Sequence, residues 1–157
     1  MNQEVKLNDL YQEVILDHNR RPRNFRKIEN ATVRAHGVNP LCGDDYHLYL
    51  NIDKSGIIKE VGFEGQGCAI SKSSASMMTA AIQGKLKEEA EKLKDAFIRL
   101  LTGDAVSENL RAQSGKLKIF EGVKQFPVRV KCATLIWRAL EAALKENSAD
   151  KKEVSTE

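Results

Sequence analysis

A cysteine and an aspartate stand two positions apart in the stretch Asn-Pro-Leu-Cys-Gly-Asp-Asp at residues 39–45. In an extended segment, residues i and i+2 point to the same side, so the thiol of Cys42 and the carboxylate of Asp44 are expected to face a common volume. Gly43 between them lets the backbone bend where a side chain would clash. Two anionic groups this close repel each other unless a cation lies between them, and a bound metal stabilises both charges. The pair therefore indicates a metal site.

The chain has three cysteines, and the other two can complete such a site. Cys68 follows a glycine turn and is expected at or just before the N-terminus of a helix. Cys132 precedes an apolar run and is expected near the start of another helix, for which Pro127 is a suitable first residue. A helix N-terminus and the nearby Arg129 and Lys131 both favour thiolate over thiol. Three thiols and one carboxylate make four ligands, the number that tetrahedral zinc takes.

The same residues also allow a purely structural interpretation. Cysteine is among the most often buried residues and frequently serves as a small apolar filler. The chain contains no Cys-x-x-Cys pair, which is the common spacing in zinc sites. Spacing alone therefore leaves open whether the cysteines bind a metal or only pack.

Bulk composition favours one domain and argues against several functional classes. A length of 157 residues, with 41% hydrophobic and 30% charged residues, suits a single domain with a solvated surface. The formal net charge of +3 is too small to indicate a nucleic-acid or membrane-surface partner. No apolar run approaches the roughly 20 residues of a membrane span, and the polar start lacks the character of a signal peptide. With no evident disulfide framework, we expect a cytoplasmic protein.

Hydrophobic periodicity predicts an α+β fold, with a small antiparallel three-stranded sheet packed against several helices. The predicted strands span residues 31–37, 45–52 and 57–64, and the predicted helices span 7–19, 68–83, 85–101, 108–112 and 128–145. The serine-rich helix that follows Cys68 is expected to use its small residues for close packing and capping. Residues 1–147 are predicted to form the single domain, and the polar residues 148–157 a flexible C-terminal tail.

Two further residue types are assigned no role in the site. His47 lies on the polar phase of its strand and is expected at the surface rather than among the ligands. His18 and His36 have equally weak claims to be ligands. Trp137 is expected at the periphery of the last helix.

Three segments resemble the signature segments of the IscU/NifU-N family of iron–sulfur cluster assembly proteins. They are Leu-Cys-Gly-Asp at 41–44, Gly-Gln-Gly-Cys-Ala-Ile-Ser at 65–71 and Arg-Val-Lys-Cys-Ala-Thr-Leu at 129–135. The likeness extends from about residue 7 to about residue 144. It implies an IscU/SufE-like fold and a metal site whose ligands are Cys42, Asp44, Cys68 and Cys132.

The chain differs from the scaffold branch of that family in three places. Lys131 stands where the scaffold branch has a histidine before its third cysteine, and residues 125–129 preserve only part of a Leu-Pro-Pro-Val-Lys chaperone-recognition motif. The segment between Cys68 and Cys132 is also longer. Together these features resemble the zinc-binding SufU-like branch.

The resemblance to that branch implies a sulfurtransferase-like sulfur shuttle that acts with a cysteine desulfurase. The chain would accept persulfide sulfur on Cys42 from a SufS-type cysteine desulfurase and pass it to downstream SUF cluster-assembly components. Arg129 is a possible electrostatic aid. The implied alternative is a scaffold on which the same four residues hold a transient 2Fe–2S cluster, since thiolates suit iron as well as zinc.

Overall fold

The computed structural model describes residues 3–103, 107–145 and 151–156. Within these ranges the helices are α1 (Gln3–Arg20), α2 (Ala69–Ile82), α3 (Lys87–Thr102), α4 (Glu108–Ser114) and α5 (Pro127–Lys145), with a 3₁₀ segment at Gly115–Val123. The strands are β1 (Val33–Asn39), β2 (Asp44–Ile52), β3 (Ile58–Gln66) and β4 (Lys151–Ser155). The predicted α+β class is confirmed, and each predicted helix and strand has a counterpart.

The sheet has four strands in the order β3-β2-β1-β4, so the predicted count of three is wrong. Strands β1, β2 and β3 pair antiparallel as predicted, whereas β4 runs parallel to β1. Strand β4 lies within the stretch predicted to be a flexible tail. Its half-buried Val154 packs against the main core, and its pairing covers the edge that β1 would otherwise expose. The predicted domain boundary between residues 147 and 148 lies outside the described residues and stays a prediction.

The helices cover one face of the sheet. Strands β1 and β2 alternate buried with half-buried residues, so Val33, Ala35, Tyr46 and Leu48 point into a core formed with α2 and α5. Helix α5 packs closely against β1 at Gly37. A Cβ at this position would lie 3.2 Å from the side chain of Leu135. The other face carries the residues of the opposite parity, most of them half-buried, and there Tyr49 is buried in a small cluster with Ile28 and Ala31. Adjacent residues of β2 therefore face two different environments.

Trp137 belongs to this core, contrary to the peripheral position predicted for it. The side chain is fully buried and stacks on Phe97 with ring centroids 4.5 Å apart. Its indole Nε1–H donates to the hydroxyl of Ser74 on α2 at 3.0 Å, and that hydroxyl donates to the carbonyl of Ala133 at 2.6 Å. Because the polar end of the indole has a partner inside the protein, the ring needs no contact with water.

None of the helices in the described part of the chain combines the length and the apolar character needed to cross a bilayer.

Replacing Ser74 with alanine is expected to destabilise the fold by about 1–3 kcal/mol, because the buried indole N–H of Trp137 loses its acceptor. Denaturant unfolding of the metal-loaded protein measures the free energy of unfolding. The matched control Ser55→Ala, at an exposed turn position, should stay within about 0.5 kcal/mol of the parent. In the double variant Ser74→Ala/Trp137→Phe, the loss should be smaller than the sum of the single losses. Equal losses in Ser74→Ala and Ser55→Ala would contradict the prediction.

Candidate metal centre

The turn between β1 and β2 carries Cys42. Asn39 and Asp44 are paired across the hairpin, and the four residues 40–43 close it. The amide of Cys42 donates to the carbonyl of Asn39 at 3.1 Å, and Gly43 adopts a φ of +71° that side chains other than glycine rarely take. Cys42 is half-buried, whereas Asp44 is buried with 2% of its surface exposed. The turn thus presents the thiol and the carboxylate to the helix-covered side of the sheet.

Cys68 is the N-cap residue of α2, as the sequence predicted. Its sulfur accepts a hydrogen bond from the amide of Ser71 at 3.4 Å and lies 3.6 Å from the hydroxyl of the same residue. Its own amide donates to Oδ1 of Asp44 at 3.0 Å. The buried carboxylate therefore sits at the N-terminus of α2, where free N–H groups and the helix dipole favour a negative charge.

Cys132 lies in the second turn of α5 with 3% of its surface exposed. The side-chain amide of Asn39 is 3.9 Å from its sulfur. Burial raises the pKa of the Cys132 thiol, and contact with Cys42 and with the negative charges of Cys68 and Asp44 raises it further. Cys132 therefore needs a cation to become a thiolate.

The expectation that neighbouring cations favour the Cys132 thiolate is wrong. Arg129 and Lys131 are both exposed, and the guanidinium of Arg129 lies 4.7 Å from the ring centroid of Phe126. Cys132 itself points into the protein because it lies on the buried face of α5. Water screens the charges on the exposed side of the helix. Burial therefore remains the main influence on the pKa of the Cys132 thiol.

Three of the four predicted ligands converge. One ligand atom each from Cys42, Asp44 and Cys132 lies within 4.8 Å of the other two. Cys68 borders this group through its amide contact with Asp44, but its sulfur is not part of the group and is held by Ser71. The structure thus brings the four residues to one end of the sheet, while the complete four-ligand set stays a prediction.

The hydrogen bonds of the Asp44 carboxylate show whether the site suits a metal ion. Its Oδ1 accepts hydrogen bonds from the Cys68 amide and the Ser71 hydroxyl, both at 3.0 Å. Its Oδ2 is buried and accepts no hydrogen bond within the described structure. A buried carboxylate oxygen without a partner costs free energy, and two thiols cannot neutralise its charge. A divalent ion bound by sulfur and carboxylate ligands supplies the missing partner, and zinc and iron both accept such ligands.

Ser71 and Tyr46 support the site in a way that the sequence interpretation did not identify. The Ser71 hydroxyl lies 3.0 Å from the Tyr46 hydroxyl, from Oδ1 of Asp44 and from the carbonyl of Cys68. Burial raises the pKa of Tyr46, so its hydroxyl stays a neutral hydrogen-bonding group. The position of Ser71 in the first turn after the N-cap Cys68 indicates that its hydroxyl can reach the site. The prediction that these serines serve packing and capping does not include this role.

Gly67 leaves the space in which this network is built. A Cβ at this position would lie 2.5 Å from Oδ1 of Asp44, 2.5 Å from the Ser71 hydroxyl and 2.7 Å from the Tyr46 hydroxyl. Real Cβ atoms do not approach so closely, so a side chain here must displace the carboxylate or its partners.

Gly67→Ala is therefore expected to lower zinc affinity about 10–100-fold, the range for changes to residues that orient metal ligands. Competition with a chromophoric chelator measures the affinity. Gly122→Ala is the matched control, because a Cβ at Gly122 meets nothing within 4 Å, and its affinity should equal that of the parent. An unchanged affinity in Gly67→Ala would show that Asp44 and its partners do not support a metal.

Comparison with known proteins places the chain among iron–sulfur assembly proteins. The NifU-like N-terminal domain family matches residues 10–154. The zinc-dependent sulfurtransferase SufU of Bacillus subtilis (strain 168) is 40% identical over 141 residues, which cover 90% of this chain and 93% of that protein. The iron–sulfur cluster assembly scaffold protein IscU of Streptococcus pyogenes is 40% identical over 144 residues, covering 91% of this chain and 87% of that protein.

A solved structure shares the fold as well. The crystal structure of a candidate iron–sulfur cluster assembly scaffold protein for the SUF system from Fervidobacterium islandicum AW-1 aligns with a TM-score of 0.77 and 39% identity, covering 84% of this chain and 94% of that one. The family match spans nearly the whole chain, including all three cysteine segments. The resemblance that the motifs indicated is confirmed, and the chain belongs to the NifU-like N-terminal domain family, which includes the IscU and SufU proteins.

Proposed function

We propose that the chain is a zinc-dependent sulfur acceptor and carrier in iron–sulfur cluster assembly. The observation that carries the proposal is the buried Oδ2 of Asp44, which has no hydrogen-bond donor and lies in a group with the thiols of Cys42 and Cys132. The 40% identity to a zinc-dependent sulfurtransferase supports the same function. The three cysteines are free thiols, which suits the reducing cytoplasm proposed as its location.

The proposed zinc ligands are Cys42, Asp44, Cys68 and Cys132. Bound zinc would keep these thiols deprotonated at neutral pH, although burial alone raises the pKa of Cys132. Ser71 and the amide of Cys68 orient Asp44 through Oδ1 and leave Oδ2 available as a ligand atom. The chain therefore supplies both the ligands and the hydrogen bonds that position them.

Cys42 is the proposed sulfur acceptor, because it combines a half-buried thiol with a position in a turn outside the helices and strands. It is half-buried in a four-residue turn, next to Gly43 and to Leu41, which is 71% exposed. Cys132 is buried within α5, and the sulfur of Cys68 is fixed as the cap of α2. Cys42 can swing outward with its turn, while the other two remain as anchors.

The proposed transfer moves one sulfur atom between two cysteines. The thiolate Sγ of Cys42 attacks the outer sulfur of a cysteine persulfide on the partner protein. A new S–S bond forms at Cys42, the S–S bond of the partner persulfide breaks, and the partner cysteine leaves as a thiolate. The persulfide oxidation level moves to Cys42, so no external oxidant or reductant is needed. A downstream SUF component then receives the sulfur for cluster assembly.

A SufS-type cysteine desulfurase is the proposed partner, and apolar residues beside the site offer it a docking surface. Leu41 precedes Cys42 in the turn, and Val128, 57% exposed, lies one helical turn before Cys132 on α5. Exposed large apolar side chains beside a reactive group are typical of interaction sites. The exposed Arg129 on the same turn of α5 is a possible electrostatic aid to docking.

We expect incubation with a SufS-type desulfurase and free cysteine to add sulfur to Cys42, because this thiol is half-buried and lies in a turn, whereas Cys132 is buried and the sulfur of Cys68 caps α2. Mass spectrometry of peptides, under conditions that preserve persulfides, locates the added sulfur. Cys42→Ser should abolish the addition, and a reaction without cysteine should show none. Added sulfur on Cys68 or Cys132 would refute the assignment of Cys42. Unchanged mass on every cysteine, in protein shown to be zinc-loaded, would refute sulfur transfer itself and leave a structural zinc module.

The second candidate function is a scaffold for a transient 2Fe–2S cluster. It is favoured by the 40% identity to a scaffold protein named IscU and by a sulfur-rich ligand set that also suits iron.

Native purification followed by exhaustive dialysis and metal analysis separates the two functions. We expect one tightly held zinc and no visible absorption, because thiolates and a carboxylate retain zinc strongly. A visible-absorbing cluster that passes intact to an apo-protein would establish the scaffold function instead. Asp44→Asn provides the comparison, since it keeps the shape of the side chain but should lose zinc affinity.

A further inference from the structure

A second group of possible metal ligands lies on the opposite face of the sheet. Asp45 and His47 are two residues apart on β2, and His36 is the register partner of His47 on β1. Because side chains alternate along a strand, Asp44 points to the helices whereas Asp45 and His47 point to the opposite face. The two groups of ligands are therefore separated by the sheet itself.

The three side chains are already assembled. The imidazole rings of His36 and His47 are stacked, with centroids 4.2 Å apart and planes 5° from parallel. Nε2 of His36 lies 2.6 Å from Oδ1 of Asp45. One ligand atom from each of the three residues lies within 4.8 Å of the other two. Small side-chain rotations would bring them to the separations set by metal–ligand bonds of about 2.0–2.2 Å.

We propose that His36, Asp45 and His47 form a second metal site, selective for a borderline divalent transition ion such as zinc or nickel. Two imidazoles and one carboxylate match the ligand preferences of these ions, whereas magnesium and calcium require mainly oxygen ligands. The Asp45 side chain is 50% exposed and that of His36 is 15% exposed. The exposed side lets an ion enter and lets water complete its coordination.

Charged side chains of both signs surround the histidine pair. Glu64 on β3 is the register partner of His47, and its Oε1 accepts a hydrogen bond from the hydroxyl of Tyr49 at 2.6 Å. Arg34 lies on the same face as His36, but its guanidinium donates to the carbonyl of Glu29 at 2.7 Å. Lys27 and Arg34 line one cavity with His47 and Glu64, so cationic and anionic side chains both lie beside the histidine pair.

An ion at this site would fasten β1 to β2 next to the turn that carries Cys42. Asp45 follows Asp44 directly at the start of β2. An ion bound at the second site would therefore restrain the strand end that positions Asp44 beside Cys42 and Cys132. A ligand that binds only the folded chain stabilises it by mass action. The site needs no thiol, and it is independent of the proposed sulfur transfer.

Zinc binding to the untagged protein tests the proposal. The thiol group is first filled with one equivalent of zinc, free metal is removed, and zinc is then titrated by calorimetry. We expect a second, weaker equivalent to bind. In NMR spectra the ring signals of His36 and His47 should shift during this step, whereas those of His18 should stay in place.

Matched variants assign the second equivalent to its ligands. His36→Gln, His47→Gln and Asp45→Asn should each weaken it at least about tenfold, since changes even to residues behind a ligand cost 10–100-fold. His18→Asn is the control and should leave the second isotherm unchanged. The first, tight equivalent should persist in all four variants, which also shows that they are folded. A wild-type protein that binds no second equivalent overturns the proposal, and so does a second isotherm that survives the three ligand variants.

Discussion

The buried carboxylate of Asp44 is the constraint on which the arrangement of the site depends. An ionised group removed from water is costly unless hydrogen bonds and opposite charge compensate it. The structure compensates one oxygen with the Cys68 amide and the Ser71 hydroxyl, and leaves the other buried without a donor. The described part of the chain thus supplies donors to only one of the two carboxylate oxygens. The metal ion proposed for this site would supply a partner for the other oxygen and would link folding of this end of the sheet to metal binding.

The same requirement explains why so many small and polar groups surround one aspartate. Gly67 has no side chain because a Cβ would occupy the space that Ser71 and Tyr46 use to reach Asp44. Helix α2 begins at Cys68, so that its free amides point at the carboxylate. Metal ligands are rarely positioned alone, and the residues behind them set their orientation. In this protein those residues come from β2 and from the first turn of α2.

The alternation of side chains along the strands places two different groups of possible metal ligands on opposite faces of the sheet. On the helix-covered side, Cys132 and Asp44 are buried and Cys42 is half-buried, and a tightly held ion is proposed there. On the other side, imidazole and carboxylate groups are partly exposed, and the second ion proposed there would be exchangeable. Asp44 and Asp45 are neighbours in the chain, yet they face these two environments because successive strand residues point in opposite directions. The three cysteines also differ in burial, since Cys132 is buried whereas Cys42 and Cys68 are half-buried.

Local sequence patterns predict the positions of most helices and strands and the orientation of several site residues. The helix and strand positions follow from hydrophobic periodicity, and the shared orientation of Cys42 and Asp44 follows from strand geometry. The N-cap position of Cys68 follows from the glycine turn before it. These features depend on residues close together in the chain, so the sequence carries them directly.

Only the tertiary structure decided the features that join distant segments. Strand β4 was missed because its polar stretch gains order through parallel pairing with β1, more than a hundred residues earlier. Trp137 is buried because Ser74, 63 residues away, accepts its indole hydrogen. The stacking of His36 on His47 arises from strand register, and the unpaired oxygen of Asp44 from the packing of a strand against a helix N-terminus. Such contacts are set by how the completed elements fit together, and no local pattern of residue types encodes them.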